Sequence, residues 1–125
     1  MAFEGKIELS ELNPHSYEIL DDVARNLRDL CCKLNWIRKA WGKPMIVTSG
    51  LRSEEDQQRI NPSAPHSRHL TGEAADIKDD GSLREWLKAN PKILVDACLW
   101  CEEGTRGWIH FQTKPPKSNN RWFWP

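Results

Sequence analysis

Ser67-Arg68-His69-Leu70-Thr71-Gly72-Glu73-Ala74-Ala75-Asp76 decides how this chain is read. A histidine leaves a loop rich in proline and serine, Asn61 to Ser67, and a carboxylate follows seven residues later on a stretch patterned as a strand. With a strand from Glu73 to Lys78, Gly72, Ala74 and Asp76 fall on one face. Two near-absent side chains leading to a carboxylate let a neighbouring backbone or a metal ion approach closely. A notch for packing is the other use of the same pattern.

Working outward, Trp108-Ile109-His110-Phe111-Gln112 alternates as a strand does and puts Trp108, His110 and Gln112 on a shared face. The chain has four histidines, at 15, 66, 69 and 110, and any one alone is an ordinary imidazole. Taken together, His69, Asp76 and His110 form a two-imidazole, one-carboxylate set, which leaves zinc an open fourth position and so suits catalysis. The spacing is not the helical H-E-x-x-H pattern, so such a site is assembled from strands and a loop. The competing set is Cys31, Cys32, Cys98 and Cys101. Adjacent helical residues point about 100° apart, which makes Cys31 and Cys32 a poor chelating pair, and buried reduced thiols are the better reading.

The remaining elements frame this centre. Ser16 is placed to cap a helix in which Ile19, Leu20, Val23, Leu27, Leu30, Cys31, Leu34 and Ile37 recur every three or four residues, ending at Gly42-Lys43-Pro44. Met45 to Thr48 reads as a buried strand, and Ser53-Glu54-Glu55-Asp56 as an acidic helix start. Ser82-x-x-Glu85 offers a capping box for a helix that Asn90-Pro91 ends, while Ile93 to Trp100 fits strand or helix equally. The order predicts one α+β domain over residues 1–125, a small antiparallel sheet packed against helices.

Composition excludes several classes. Eighteen basic and eighteen acidic residues cancel, which removes the overall electrostatic case for a nucleic-acid or membrane-surface partner. No stretch approaches the roughly 18 apolar residues of a membrane span, and MAFEGKIELSEL lacks the pattern of an export signal. Charge is nonetheless uneven. Residues 105–125 carry Arg106, Lys114, Lys117 and Arg121 with no acid, and end in Arg121-Trp122-Phe123-Trp124-Pro125. That segment fits either an anionic polymer or a turn that folds back through Pro115-Pro116 and Asn119-Asn120.

At these residues the chain resembles the zinc D-alanyl-D-alanine carboxypeptidase family, which includes peptidoglycan DD-peptidases and phage endolysins. The resemblance rests on Thr48-Ser49-Gly50-Leu51-Arg52-Ser53, Ser67-x-His69-x-x-Gly72-x-Ala74-x-Asp76 and Trp108-x-His110, in the family's order. Leu9-Ser10-Glu11-Leu12 before the long helix looks like its short phage-associated branch. It implies the zinc DD-peptidase (hedgehog-like) fold, with Zn²⁺ held by His69, Asp76 and His110. It also implies that Arg52 grips a substrate carboxylate or polarised carbonyl, and that Ser67 orients its loop or contacts substrate. A guanidinium suits that role, because it stays charged and offers a fork of donors.

One position departs from the family's pattern. Well-known members carry a carboxylate three residues before the last zinc histidine, where this chain has Gly107. The general base must then come from Glu103 or Glu102, and Glu103, directly before the turn Gly104 to Gly107, is favoured. Glu73 should point away from Asp76 on an alternating strand. The implied function is hydrolysis of an amide in a peptidoglycan stem peptide or cross-bridge by a monomer. It would act at the bacterial cell wall after synthesis without an export signal, as an endolysin or a virion-borne lysin. The alternative is a catalytically weak or inactive metal-stabilised structural or wall-binding domain of a phage particle.

Overall fold

A computed structural model describes residues 6–64 and 66–125. The first five residues, part of the stretch read for an export signal, and Pro65 of the proline-bearing loop lie outside it. The chain runs α1 (Leu9–Leu12), α2 (Asp21–Trp41), β1 (Val47–Ser49), α3 (Glu54–Ile60), a 3₁₀ turn (Arg68–Thr71) and β2 (Ala74–Lys78). It continues through α4 (Ser82–Ala89), α5 (Lys92–Ala97), β3 (Trp100–Glu102), β4 (Trp108–Gln112) and β5 (Trp122–Phe123). The five strands form one sheet in the order β1-β2-β4-β3-β5. All pairings are antiparallel except the last, where β5 joins β3 in parallel. The α+β reading therefore holds, with the C-terminal segment folded back to add an edge strand.

Period-two alternation gives the sheet two unlike faces. Ala75 and Ile77 of β2, Ile109 and Phe111 of β4 and Cys101 of β3 turn inward to one apolar core. Against them lies the stripe of α2, Leu27, Leu30, Leu34 and Ile37, each buried. Burying a side chain of this size is worth roughly 1.5–3 kcal/mol relative to leaving it in water. Leu12, Leu87 and Leu94 complete the core from α1, α4 and α5. The other face of the sheet presents Asp76, His110 and Gln112.

Helix α2 starts later than Ser16 suggested. Ser16 takes a positive φ of 52°, the helix begins at Asp21, and Ile19 and Leu20 are exposed. Asp21 and Asp22 in the first turn and Arg38 and Lys39 in the last complement the helix dipole, and Gly42 closes it in the left-handed conformation, its N–H donating to the Arg38 carbonyl at 2.9 Å. Ser53 does cap α3, its hydroxyl accepting from the Asp56 N–H. Ser82 does not act as the cap of α4. Gly81 holds the N-cap position, while Asp79 accepts from the N–H groups of Leu83 and Arg84, and Asp80 from that of Ser82. The ambiguous Ile93 to Trp100 divides at Cys98, whose positive φ of 55° ends α5 before β3 begins. Strand β1 is less buried than its composition suggested, since it lies at a sheet edge and Ile46 before it is 58% exposed.

Candidate metal centre

Strand register brings two of the three predicted ligands together. Asp76 on β2 is the direct antiparallel partner of His110 on β4, so their side chains leave the same face. His69 arrives from the 3₁₀ turn, where the Ser67 hydroxyl accepts from the His69 N–H and Gly72 ends the turn at φ 76°. Gly72 therefore does not share a strand face with Ala74 and Asp76. A Cβ there would lie 3.0 Å from Cγ of Leu27 and 3.2 Å from the Val23 carbonyl oxygen, so the close approach this glycine permits is that of helix α2.

The three side chains are buried, and one ligand atom from each lies within 4.8 Å of the others. Asp76 Oδ1 is 3.2 Å from His69 Nε2 and 3.1 Å from His110 Nδ1. Two nitrogens and a carboxylate oxygen turned toward one point are a donor set that suits zinc. Among the described residues no other three His, Cys, Asp or Glu side chains converge in this way. The four cysteines are free thiols, but the expectation that they are buried holds fully only for Cys101 in the core, since Cys31 is half-buried and Cys32 and Cys98 are exposed.

The surroundings fix how each ring is presented. His69 Nδ1 donates to the Gly50 carbonyl at 2.9 Å, which leaves Nε2 for the centre. That carbonyl is held by packing, because a Cβ on Gly50 would sit 2.4 Å from the Leu12 carbonyl oxygen. The Arg52 N–H donates to the His69 carbonyl at 3.1 Å, so the Ser49-Gly50-Leu51-Arg52 turn and the histidine turn brace each other. His110 Nε2 lies 2.9 Å from Gln112 Oε1, and Phe123 of the returning segment meets the His110 ring edge to face at 6.4 Å.

Electrostatics keep Asp76 ionised. Burial opposes its charge, but the hydrogen bonds from His110 and His69 outweigh that opposition and hold the carboxyl well below the usual carboxylate range. Burial likewise works against a proton on His110, and the contact with Asp76 overcomes it, leaving this imidazole above its ordinary value. Arg52 braces the far oxygen. Its guanidinium donates to Asp76 Oδ2 at 3.3 Å, Gln57 Oε1 at 2.8 Å and Ser49 Oγ at 3.0 Å, using three of its five N–H groups.

The centre lies in the wall of a cavity of about 1140 Å³ that Arg52, Ser67, Glu102 and Trp108 also line. Glu103 is elsewhere. β3 pairs Trp100 with Gln112 and Cys101 with Phe111, so the same register sets Glu102 across from His110 and turns Glu103 to the opposite face. There Glu103 is held by Lys88 at 2.8 Å and Arg84 at 3.6 Å, both on α4. Glu73 also points away, paired with Arg68 at 3.4 Å and Lys114 at 3.6 Å. The basic C-terminal segment folds back on the domain: Arg121 stacks on Trp100 at 4.1 Å and Lys114 is paired as above. The signal that distinguishes Glu102 from Glu103 is present in the alternation of Trp100-Cys101-Glu102, provided Cys101 faces the core.

Comparison with known proteins agrees with this geometry. No curated protein sequence matches the chain significantly. Among solved structures it is similar to the L-Ala D-Glu endopeptidase ChiX of Serratia marcescens, with a TM-score of 0.53 and 20% identity over 82% of this chain and 93% of that one. At that identity the likeness speaks for the fold. The sequence pattern of the family described as peptidase M15 matches residues 6–111, a span that contains His69, Asp76 and His110 and most of the chain. With that match on the same stretch that builds the buried His-Asp-His cluster, the chain belongs to the peptidase M15 family.

Proposed function

We propose that this chain is a zinc-dependent peptidase hydrolysing an amide bond in the peptides of bacterial peptidoglycan, as a carboxypeptidase or an endopeptidase of the endolysin kind. One observation carries the reading: three buried donor atoms within 4.8 Å of one another, in a cavity that a carboxylate, Glu102, also lines. The family membership and the name of the ChiX endopeptidase support a wall-peptide substrate. We assign its work to the bacterial cell wall.

His69 Nε2, Asp76 Oδ1 and His110 Nδ1 would hold the ion. Zinc bound there supplies Lewis acidity, polarising the scissile carbonyl and making water acidic enough to attack near neutral pH. Glu102 takes the base role that the sequence assigned to Glu103: its carboxylate accepts the proton of the attacking water and returns it to the leaving amine. Arg52 holds Asp76 in place through Oδ2, and its two remaining N–H groups are available to a substrate oxygen or carboxylate on the cavity side. Ser67 holds the His69 turn through its hydroxyl. The alternative of an inactive structural domain drew on Gly107, where the family's carboxylate is missing. Glu102 supplies a carboxylate from the neighbouring strand instead, which favours the catalytic reading.

The test is digestion of purified peptidoglycan with zinc-loaded protein, with fragments identified by mass spectrometry. New amino and carboxyl ends, lost on chelation and restored by zinc, are expected; wall peptides left intact by protein that carries its zinc would overturn the proposal.

A pH dependence follows from ligand protonation. His110 lies above its ordinary value, so in the metal-free protein it keeps its proton until pH rises past that elevated value, and zinc must displace it. Apparent zinc affinity should therefore rise with pH and level off above the ordinary histidine range. Below that point a single displaced proton costs about tenfold per pH unit. Chelator competition between pH 5 and 9 reads this slope, and a flat profile contradicts ligation by His110.

A further inference from the structure

Gln112 lies one residue beyond the stretch matched to the family, and nothing in the proposed chemistry uses it. It is 7% exposed, on the face that carries His110. Its backbone is fixed from both sides, since β4 pairs it with Ala74 on β2 and with Trp100 on β3. Its amide has two contacts: Nε2 donates to the Lys114 carbonyl at 2.8 Å, and Oε1 lies 2.9 Å from His110 Nε2.

These contacts fix where one hydrogen of His110 lies. A backbone carbonyl only accepts, so the NH₂ end of the Gln112 amide must face Lys114. A flipped amide would set two acceptor oxygens against each other. The amide oxygen therefore faces His110, and it too only accepts, so His110 Nε2 must carry a hydrogen. The neutral imidazole that a metal ion requires has one N–H, and with that hydrogen on Nε2 the lone pair lies on Nδ1, the nitrogen 3.1 Å from Asp76 Oδ1. The direction of the Lys114 carbonyl is thus passed through Gln112 to the metal-facing atom of His110.

We propose that Gln112 is the positioning residue of the metal centre, selecting Nδ1 of His110 as the ligand atom by fixing the hydrogen on Nε2. The inference rests on the zinc reading above and concerns which nitrogen binds and how tightly. An amide suits the task better than a carboxylate, because it imposes the direction without adding charge to a centre that already holds Asp76. Partners of this kind to metal-binding histidines are typically worth about 10–100-fold in affinity.

The experiment compares wild type, Gln112→Met and Gln112→Glu in zinc affinity by chelator competition and in the ¹⁵N imidazole spectrum of the zinc-loaded protein. Circular dichroism and thermal melting check that each variant is folded. Methionine preserves length but accepts no strong hydrogen bond, and about a 10–100-fold loss of affinity is expected, with His110 no longer held to a single nitrogen as ligand. Glutamate keeps an acceptor for the Nε2 hydrogen, so it should bind zinc at least about tenfold more tightly than the methionine variant and retain the wild-type ¹⁵N pattern. Equal affinity for folded wild type and Gln112→Met overturns the role of Gln112, as does a zinc-loaded wild type in which His110 ligates through Nε2. A wild type that binds no zinc overturns the metal reading itself, a distinct result.

Discussion

Glu102→Gln is expected to lower cleavage of wall peptides by about 10²–10⁴-fold while zinc content stays near one equivalent, whereas Glu103→Gln should leave cleavage within a few-fold of wild type. The two residues are adjacent in sequence and opposite in orientation. Glu102 lines the cavity across from His110, and Glu103 is tied to Lys88 and Arg84 on the far side of the sheet. Replacing a carboxylate with an amide removes the basicity that a general base needs and preserves shape, so retained zinc separates loss of chemistry from loss of the centre. Mass-spectrometric rates on purified peptidoglycan, beside metal analysis of the same samples, make the comparison. A Glu103→Gln variant that is inactive beside an active Glu102→Gln would reverse the assignment.

Asp76→Ala should lose tight zinc binding altogether and also destabilise the metal-free protein, by about 3–5 kcal/mol at neutral pH. One carboxylate serves three groups here: two imidazoles at Oδ1 and the Arg52 guanidinium at Oδ2. Removing it leaves a largely buried guanidinium, 12% exposed, without its counter-charge. The pH sense follows from the depressed value of this carboxyl. Its contribution is fully present above the unfolded value of about 3.9 and is lost as pH falls through the lower folded one. The difference between wild type and variant should therefore be full at pH 7 and shrink only in strong acid. Urea unfolding of both metal-free proteins at neutral and strongly acid pH measures it, and a variant as stable as wild type at pH 7 would remove Asp76 from this central position.

Much of the centre is legible in the amino-acid sequence, because the relevant signals are short-range. His69 follows a serine that caps its turn, Asp76 lies on a strand whose alternation is visible, and His110 shares a face with Gln112 at a spacing of two. Ser53 and Gly42 likewise act within one helical turn of their partners. The features that spacing alone misrepresents depend on which groups the fold sets against them. Gly72 has the spacing of a strand face, but the side chains that require its lack of a Cβ are Val23 and Leu27 on α2. Ser82 has the pattern of a cap, but Asp79 and Asp80 arrive first with stronger acceptors. For Arg52 the sequence offers a substrate clamp, and the fold adds that Ser49, Gln57 and Asp76 hold three of its five donors.

The chain's sequence by itself determined the side chains of the candidate metal centre, their order and the α+β alternation around them, since periodicity and capping are properties of neighbouring residues. Only the tertiary structure decided that Glu102 and not Glu103 meets the cavity, that β5 closes the sheet in parallel, and that Gln112 points its amide oxygen at His110. The first two follow from hydrogen-bond pairing between strands far apart in sequence, where a shift of one residue would turn every side chain of a strand to the opposite face, and the third from the Lys114 carbonyl that takes the NH₂ end of the amide.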